Sequence, residues 1–153
     1  MQIKISKACS AFKDDWKGSG QMVYEYQLRT ETEGFYDITL QVNDAVKKSG
    51  VVSGICVVYT PHTTSAITVN ENADPDVKHD LLKGLSECYP ELSAYRHMEG
   101  NSTAHLKSSC VGCSETLIVE NGRLLLGMWQ DVYFCEFDGP RSRHFYVKVV
   151  GDR

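Results

Sequence analysis

Three of the five histidines lie in stretches rich in small polar and turn-forming residues: His62, His97 and His105. Three neutral imidazoles with a fourth position left open are the ligand arrangement of catalytic zinc. His97 and His105 are close in sequence, whereas His62 must arrive from a different strand. The same spacing also suits histidines that are only hydrogen-bonded in a polar cleft. Spacing alone therefore leaves a metal site and a polar cleft as alternatives.

Two carboxylates follow the first of these histidines in the stretch HTTSAITVNENADPD, residues 62–76. Glu71 and Asp74 could divide the roles of general acid and base, or hold a divalent ion. Asp74 precedes Pro75, and this pair is typical of a helix start, because the carboxylate accepts amide hydrogen bonds and proline suits the first helical position. Glu71 has no such structural explanation and is the better candidate base.

A third group of residues could bind phosphate. Asn101, Ser102 and Lys107 cluster around a predicted short helix, and the free N–H groups and dipole at a helix N-terminus favour an anion. Arg141 follows a predicted tight turn, and its guanidinium can bind a phosphate in a bidentate manner. Exposed arginines are more often simply solvated, so this site remains a hypothesis.

The cysteines indicate neither disulfides nor redox chemistry. Cys56 and Cys135 lie inside apolar strand-like runs, which predicts buried, reduced thiols. The pair Cys110 and Cys113 forms a C-x-x-C motif, but Cys110 is predicted near a helix C-terminus, whose partial negative charge disfavours a thiolate. A second C-x-x-C, which a four-cysteine zinc site would need, is absent from the sequence.

Composition excludes several classes of protein. The net charge is -4 and the calculated pI is about 5.7, which argues against a nucleic-acid-binding face. Hydrophobic residues make up 42%, close to an ordinary globular protein, and no membrane partner is expected. Residues 1–10 alternate polar and apolar side chains, unlike the apolar core of a signal peptide, so we expect a cytoplasmic protein. A chain of 153 residues suits one domain, 1–153.

The elements that must position these residues follow from periodicity and capping signals. A helix is predicted to begin after Asp37, which caps it, and to end at Gly50. Its apolar residues recur every three to four positions and form one stripe. A second helix runs from Pro75 to about Cys88, and a third, capped by Ser102, runs to Cys110. Predicted strands cover residues 22–30, 51–60, 65–70, 116–120, 123–126, 129–137 and 144–150.

The strand-rich final third indicates antiparallel hairpins, with turns at Asn121-Gly122 and Asp138-Gly139. Hairpins segregated from two to three helices predict an α+β fold. The strand 129–137 is apolar on both faces, which suggests burial by a partner subunit as well as by the chain's own core.

Three segments in order resemble the YjbQ-like family: TPHTTSAITVNENADPDVKHDL, HMEGNSTAHLKSSCVG and VENGRLLLGMWQDVYFCEFDGPRSR. The resemblance covers about residues 5–150. The sequence departs from the family pattern at Cys110 and Cys113, where relatives carry leucine and serine. The family consists of small, largely uncharacterised proteins, some described as secondary thiamine-phosphate synthases.

The resemblance implies a mixed, mainly antiparallel α+β sandwich, a homotrimer, and a metal ion held by histidines. The family pattern falls on His62, Glu71, Asn72, Asp74, His97, Asn101, His105 and Lys107. We therefore expect a metal-assisted transferase acting on small phosphorylated substrates, with zinc or magnesium as cofactor and weak thiamine-phosphate synthase activity. The alternatives are a metal-dependent hydrolase with Glu71 as base, and a trimeric protein that binds a metal or phosphorylated metabolite without turnover.

Overall fold

The computed structural model describes residues 3–5 and 23–152. Within these residues the helices are α1 (Thr39–Ser49), α2 (Pro75–Cys88) and α3 (Ser102–Val111). The strands of the same residues are β1 (Ile3–Ile5), β2 (Val23–Thr30), β3 (Gly34–Asp37), β4 (Gly54–Tyr59), β5 (Ser65–Glu71), β6 (Ser114–Glu120), β7 (Arg123–Leu124), β8 (Gln130–Glu136) and β9 (Arg141–Gly151). Cys9 lies outside the described residues.

The strands form two antiparallel sheets that face each other. The larger sheet has the order β1-β2-β9-β4-β6-β7, and the smaller has the order β3-β8-β5. Phe134 of the smaller sheet and Phe145 of the larger one lie 6.3 Å apart between ring centroids, so their inner faces share one core. The predicted α+β sandwich is confirmed.

Helix α1 completes this core with the stripe predicted from its sequence. Val42, Ala45 and Val46 are buried and belong to the same hydrophobic cluster as the inner faces of both sheets. Gly50 ends the helix in the left-handed conformation that its lack of a Cβ permits. The helix therefore belongs to the sandwich core.

A second, smaller hydrophobic cluster covers the outer face of the small sheet. Tyr133 and Cys135 of β8 pack there against Ala104 and Val111 of α3, with Leu85 of α2 at the edge. The second apolar face of β8 is thus covered by helices of the same chain. The suggestion that a partner subunit buries this face was wrong, since apolar residues on both faces of a strand show only that each face is covered and not by what.

Local capping signals were partly correct. Asp74 caps α2, its carboxylate accepting the N–H of Asp76 at 2.9 Å. Asp37 accepts the N–H of Thr39 at 2.9 Å as predicted, although Ile38 occupies the N-cap position itself. Ser102 is the first residue of α3, so it is Asn101 that precedes the helix, and without a side-chain cap.

The short strand β3 was not predicted, because four residues are too few to show a period. Gly34–Asp37 pairs with β8 and forms one edge of the small sheet. The Asn121-Gly122 turn was predicted correctly, and both residues have positive φ, 53° and 72°, as a two-residue hairpin turn of this kind requires.

Within the described residues, no helix is long and apolar enough to cross a membrane. Cys56 and Cys135 are buried free thiols, as predicted, while Cys88, Cys110 and Cys113 are free and exposed.

Candidate functional site

A cavity with ionisable walls opens beside α3. It has a volume of about 450 Å³ and is lined by Tyr95, His97, Ser102, His105, Leu106 and Ser109. The imidazoles of His97 and His105 lie 5.1 Å apart between ring centroids and nearly perpendicular to each other. The segment before α3 and the first two turns of the helix thus bring together two of the three predicted metal ligands.

The spacing of these two rings is compatible with a shared metal ion. Zinc bonds imidazole nitrogen at about 2.0–2.1 Å in tetrahedral geometry, which puts two bound rings roughly 5 Å apart between centroids. Rings in edge-to-face contact have the same separation. The spacing therefore permits zinc but is also that of ordinary ring packing.

A buried oxygen without a partner lies at the same helix terminus. Asn101 donates its amide N–H to Asp138 Oδ2 at 3.0 Å, which orients the side chain, and its Oδ1 is buried with no hydrogen-bond partner among the described residues. An unpaired buried acceptor costs about 1–3 kcal/mol unless a donor or cation reaches it. Asn101 precedes His105 by one helical turn, so this oxygen is suited to a ligand bound at the start of α3.

Asp138 also holds Arg141, the fourth predicted phosphate ligand. The Arg141 guanidinium donates to Asp138 Oδ2 at 2.9 Å and to the main-chain oxygen of Asp138 at 3.1 Å. Burial raises the pKa of Asp138, but the hydrogen bonds from Asn101 and Arg141 outweigh burial and hold that pKa below its usual value. Asn101 and Arg141 therefore meet at one carboxylate, which already neutralises the guanidinium.

Lys107 is buried and paired with residues of two other segments. Its side chain is 6% exposed, and its ammonium bonds Glu33 Oε1 at 2.5 Å and Ser86 Oγ at 3.0 Å. These contacts tie α3 to α2 and to the loop before β3. The Lys107 ammonium is thus paired outside the cavity that Ser102 lines.

The ring of His62 is held by a hydrogen bond from the main chain. Strand β4 ends at Tyr59, so β9 has no β4 partner beyond Tyr146. The Nε2 atom of His62 fills that position by accepting the N–H of His144 at 2.8 Å. The neutral ring must then carry its proton on Nδ1, which leaves no lone pair for a metal while this bond is present.

Burial lowers the pKa of His62, and the nearby positive charge of Arg143 lowers it further. The neutral form is the one that accepts the bond from His144, so geometry and electrostatics agree. Arg143 itself lies inside the sandwich, where it forms two hydrogen bonds with Glu136, which is fully buried.

The two predicted catalytic carboxylates lie away from the cavity lined by His97 and His105. Asp74 is used as the cap of α2. Glu71 ends β5, where its main-chain oxygen accepts the hydroxyl of Tyr133 at 3.1 Å. Next to it, Asn72 donates to Asp131 Oδ2 at 2.6 Å and to Asp37 Oδ2 at 3.2 Å, so this end of the small sheet is a polar network.

Across residues 3–5 and 23–152, no group of three or more His, Cys, Asp or Glu side chains comes close enough to hold a metal ion. The predicted convergence of His62 with His97 and His105 is therefore not found within one chain. The physical reason is that the His62 ring replaces a strand partner at the end of β4, while the other two belong to α3 and the segment before it.

Two polar pairs were missed from the sequence. His144 Nδ1 lies 2.7 Å from Glu25 Oε1, and Glu136 pairs with Arg143 inside the sandwich. Alternation could have shown that Glu25 and His144 lie on the outer sheet face. The pairing of β2 with β9, which brings them together, joins segments far apart in sequence.

Comparison with known proteins gives a consistent result. Residues 24–152 match the sequence profile of the family UPF0047 protein YjbQ-like. The chain is 55% identical to the UPF0047 protein YugU of Bacillus subtilis over 132 residues, covering 85% of this chain and 100% of the relative. It is 52% identical to the UPF0047 protein MJ1081 of Methanocaldococcus jannaschii over 134 residues, covering 87% and 97%.

A solved structure agrees with the fold. The crystal structure of an uncharacterized conserved protein of the YjbQ/UPF0047 family from Clostridium acetobutylicum superposes with a TM-score of 0.81 at 53% identity, covering 82% of this chain and 98% of that one. By sequence and by structure, this chain belongs to the UPF0047 YjbQ-like family.

Proposed function

We infer that this protein is a metal-assisted transferase acting on small phosphorylated substrates, with His97 and His105 as two of the metal's ligands. The observation that supports it is the pair of imidazoles, 5.1 Å apart, on the wall of a cavity of about 450 Å³. That volume suits a small-molecule substrate. A bound divalent ion would neutralise charge developing on a phosphate or pyrophosphate leaving group.

The donor set favours zinc over magnesium. Imidazole nitrogen is a common zinc ligand, whereas magnesium prefers oxygen ligands and keeps several waters. The orphaned Oδ1 of Asn101 is an acceptor for a ligand N–H or O–H, or for the cation itself. Ser102 and Ser109 supply hydroxyl donors along the cavity wall for phosphate oxygens.

A homotrimer is part of the proposal, because one chain offers two close imidazoles where catalytic zinc sites have three protein ligands. No side chain of helix α2 is fully buried, and Val77, Leu81 and Leu85 line a groove of about 480 Å³. An apolar helix face left open in one chain is suited to contact with a second copy. Sedimentation of the purified protein measures the assembly.

The cytoplasm is the proposed location. Three exposed free thiols, Cys88, Cys110 and Cys113, are suited to a reducing compartment, since exposed thiols oxidise readily outside it.

Metal content and activity together test the proposed function. Untagged protein is expected to hold zinc, and His97→Ala and His105→Ala are each expected to lose most of it, together with any formation of thiamine phosphate from its pyrimidine diphosphate and thiazole phosphate precursors. His79→Ala is the control, since His79 is 72% exposed on α2. Elemental analysis per chain and product assays provide the readouts.

Distinct results would reject separate parts of the proposal. Zinc content unchanged in both variants would show that these imidazoles are only packed rings. Zinc binding without product from any phosphorylated substrate tried would favour the trimeric binding protein. Hydrolysis of phosphoesters that Glu71→Gln abolishes would favour the hydrolase.

A further inference from the structure

The outer face of the six-stranded sheet carries a polar patch that lies apart from the cavity at α3. On β2 the buried residues are Tyr26, Leu28 and Thr30, so the odd-numbered residues point outward. On β9 the buried residues have odd numbers, so His144 points outward, directly opposite Gln27. Strand pairing thus brings the side chains of Glu25, Gln27, Arg29 and His144 together on the outer face of this sheet, and we call this group the β2–β9 patch.

His144 is the oriented group of this patch. Its Nδ1 lies 2.7 Å from Glu25 Oε1, and because a carboxylate accepts, the proton of this bond belongs to Nδ1. The Nε2 atom then faces any ligand with its lone pair, or with a second N–H when the ring is protonated. The His144 side chain is 34% exposed and that of Glu25 is 14% exposed, so the pair is anchored but reachable.

Arg29 supplies positive charge beside this imidazole. It lies opposite Ser142 and therefore diagonal to His144, at a spacing of about 7–8 Å that long side chains can bridge. Arg29 is exposed, and within the described residues its guanidinium has no ion-pair or hydrogen-bond partner. Gln27, half-buried between them, adds an amide donor.

An aromatic pair adjoins the patch on the other side of His144. Tyr146 points outward two residues further along β9, about 7 Å away along the strand. Its ring stacks with that of Tyr59 of β4 at 6.5 Å between centroids and 27° between planes. A planar ring joined directly to an anionic group could therefore contact the tyrosines while the anion reaches His144 and Arg29.

From this arrangement we propose that the β2–β9 patch binds a phosphate monoester of a planar ring compound. The Arg29 guanidinium and Gln27 amide donate to phosphate oxygens, and His144 shares one proton with the phosphate. That proton lies either on a P–O–H donating to Nε2 or on Nε2 donating to the dianion, and the complex carries the same number of protons in both forms. Glu25 positions the ring and takes no part in contacting the ligand.

Calorimetry with metal-free protein in chelator tests the patch, using phenyl phosphate and methyl phosphate as probes. Phenyl phosphate is expected to bind more tightly than methyl phosphate. Arg29→Gln and His144→Gln are each expected to weaken phenyl phosphate binding about tenfold or more, because each removes a charge-assisted or oriented contact. Glu25→Gln should weaken it less, and Tyr146→Leu should reduce the preference for the phenyl ester.

The control is His79→Gln, which alters a second histidine–carboxylate pair, with Asp80, that is 72% and 78% exposed on α2. It should bind as the parent does. Parent-like binding by both Arg29→Gln and His144→Gln, or no binding of phenyl phosphate by the parent at millimolar concentration, would overturn the inference. If binding instead disappears in His97→Ala, the phosphate belongs to the cavity at α3, and the proposed function stands without this second site.

Discussion

At the scale of single residues, hydrogen-bond direction decides what each histidine can do. His62 and His144 have ring centroids only 6.2 Å apart, yet their free atoms differ. The lone pair of His62 is taken by a main-chain N–H, whereas the proton on Nδ1 of His144 is held by Glu25. His62, which the sequence suggested as a metal ligand, thus has the more structural role of the two.

The bond accepted by His62 predicts a dependence of stability on pH. Because burial and Arg143 lower the folded-state pKa of His62, its contribution to stability is present above the ordinary pKa of about 6.5 and is lost as the pH falls from that value through the lower folded-state pKa. Denaturant melts at a series of pH values should show the free energy of unfolding decreasing below about pH 6.5.

The variant His62→Gln keeps an acceptor that cannot be protonated in this range. The free energy of unfolding of this variant should therefore fall less steeply below about pH 6.5 than that of the parent. His79→Gln, at an exposed position, should retain the parent slope. Identical slopes for His62→Gln and the parent would mean that His62 does not titrate against this bond.

At the scale of elements, short-range signals were predictable and long-range pairings were not. Asp74-Pro75 and Asn121-Gly122 determine a helix start and a turn through atoms a few residues apart, and both were predicted. Strand β3 exists because Gly34–Asp37 pairs with β8, a contact that no local pattern encodes. The separation of His62 from the α3 cavity has the same origin, since it depends on where β4 ends beside β9.

The structural role of Asp74 as the cap of α2 can be tested separately from its predicted catalytic role. Asp74→Ala removes the acceptor for the Asp76 N–H and should reduce the free energy of unfolding by about 1 kcal/mol. Asp74→Asn retains an acceptor and should restore most of the stability. Thermal melts of both, beside Asp80→Ala at an exposed position of the same helix, provide the comparison. A loss of activity in Asp74→Asn at full stability would instead support the predicted catalytic role.

At the scale of the whole molecule, a buried ion pair joins the two sheets. Glu136 belongs to β8 and Arg143 to β9, and their side chains meet inside the sandwich with 0% and 7% exposure. Burial raises the pKa of Glu136, but hydrogen bonds from Arg143, the Asp138 N–H and Thr30 outweigh it and hold the pKa below its usual value. The sandwich therefore depends on this carboxylate remaining charged.

Removing one member of the pair should cost more than removing both. Arg143→Met leaves a buried carboxylate without its cation and should reduce the free energy of unfolding by roughly 3–5 kcal/mol. The double variant Arg143→Met with Glu136→Gln should recover part of that loss. Urea denaturation of the two variants and the parent gives the values. Equal losses in the single and double variants would show that the charge of Glu136 is not what destabilises Arg143→Met.

No side chain of helix α2 is fully buried, and this has a consequence for local opening of the helix. A helix that buries little apolar surface can unfold locally at a low cost in free energy, so we expect its amides to exchange with solvent sooner than those of β8 or β9. In the proposed homotrimer, a contact with a second copy that covers the groove of α2 would add to the free energy of that opening. Exchange at α2 would then report the strength of that proposed association, while exchange in the sandwich reports the stability of the single chain.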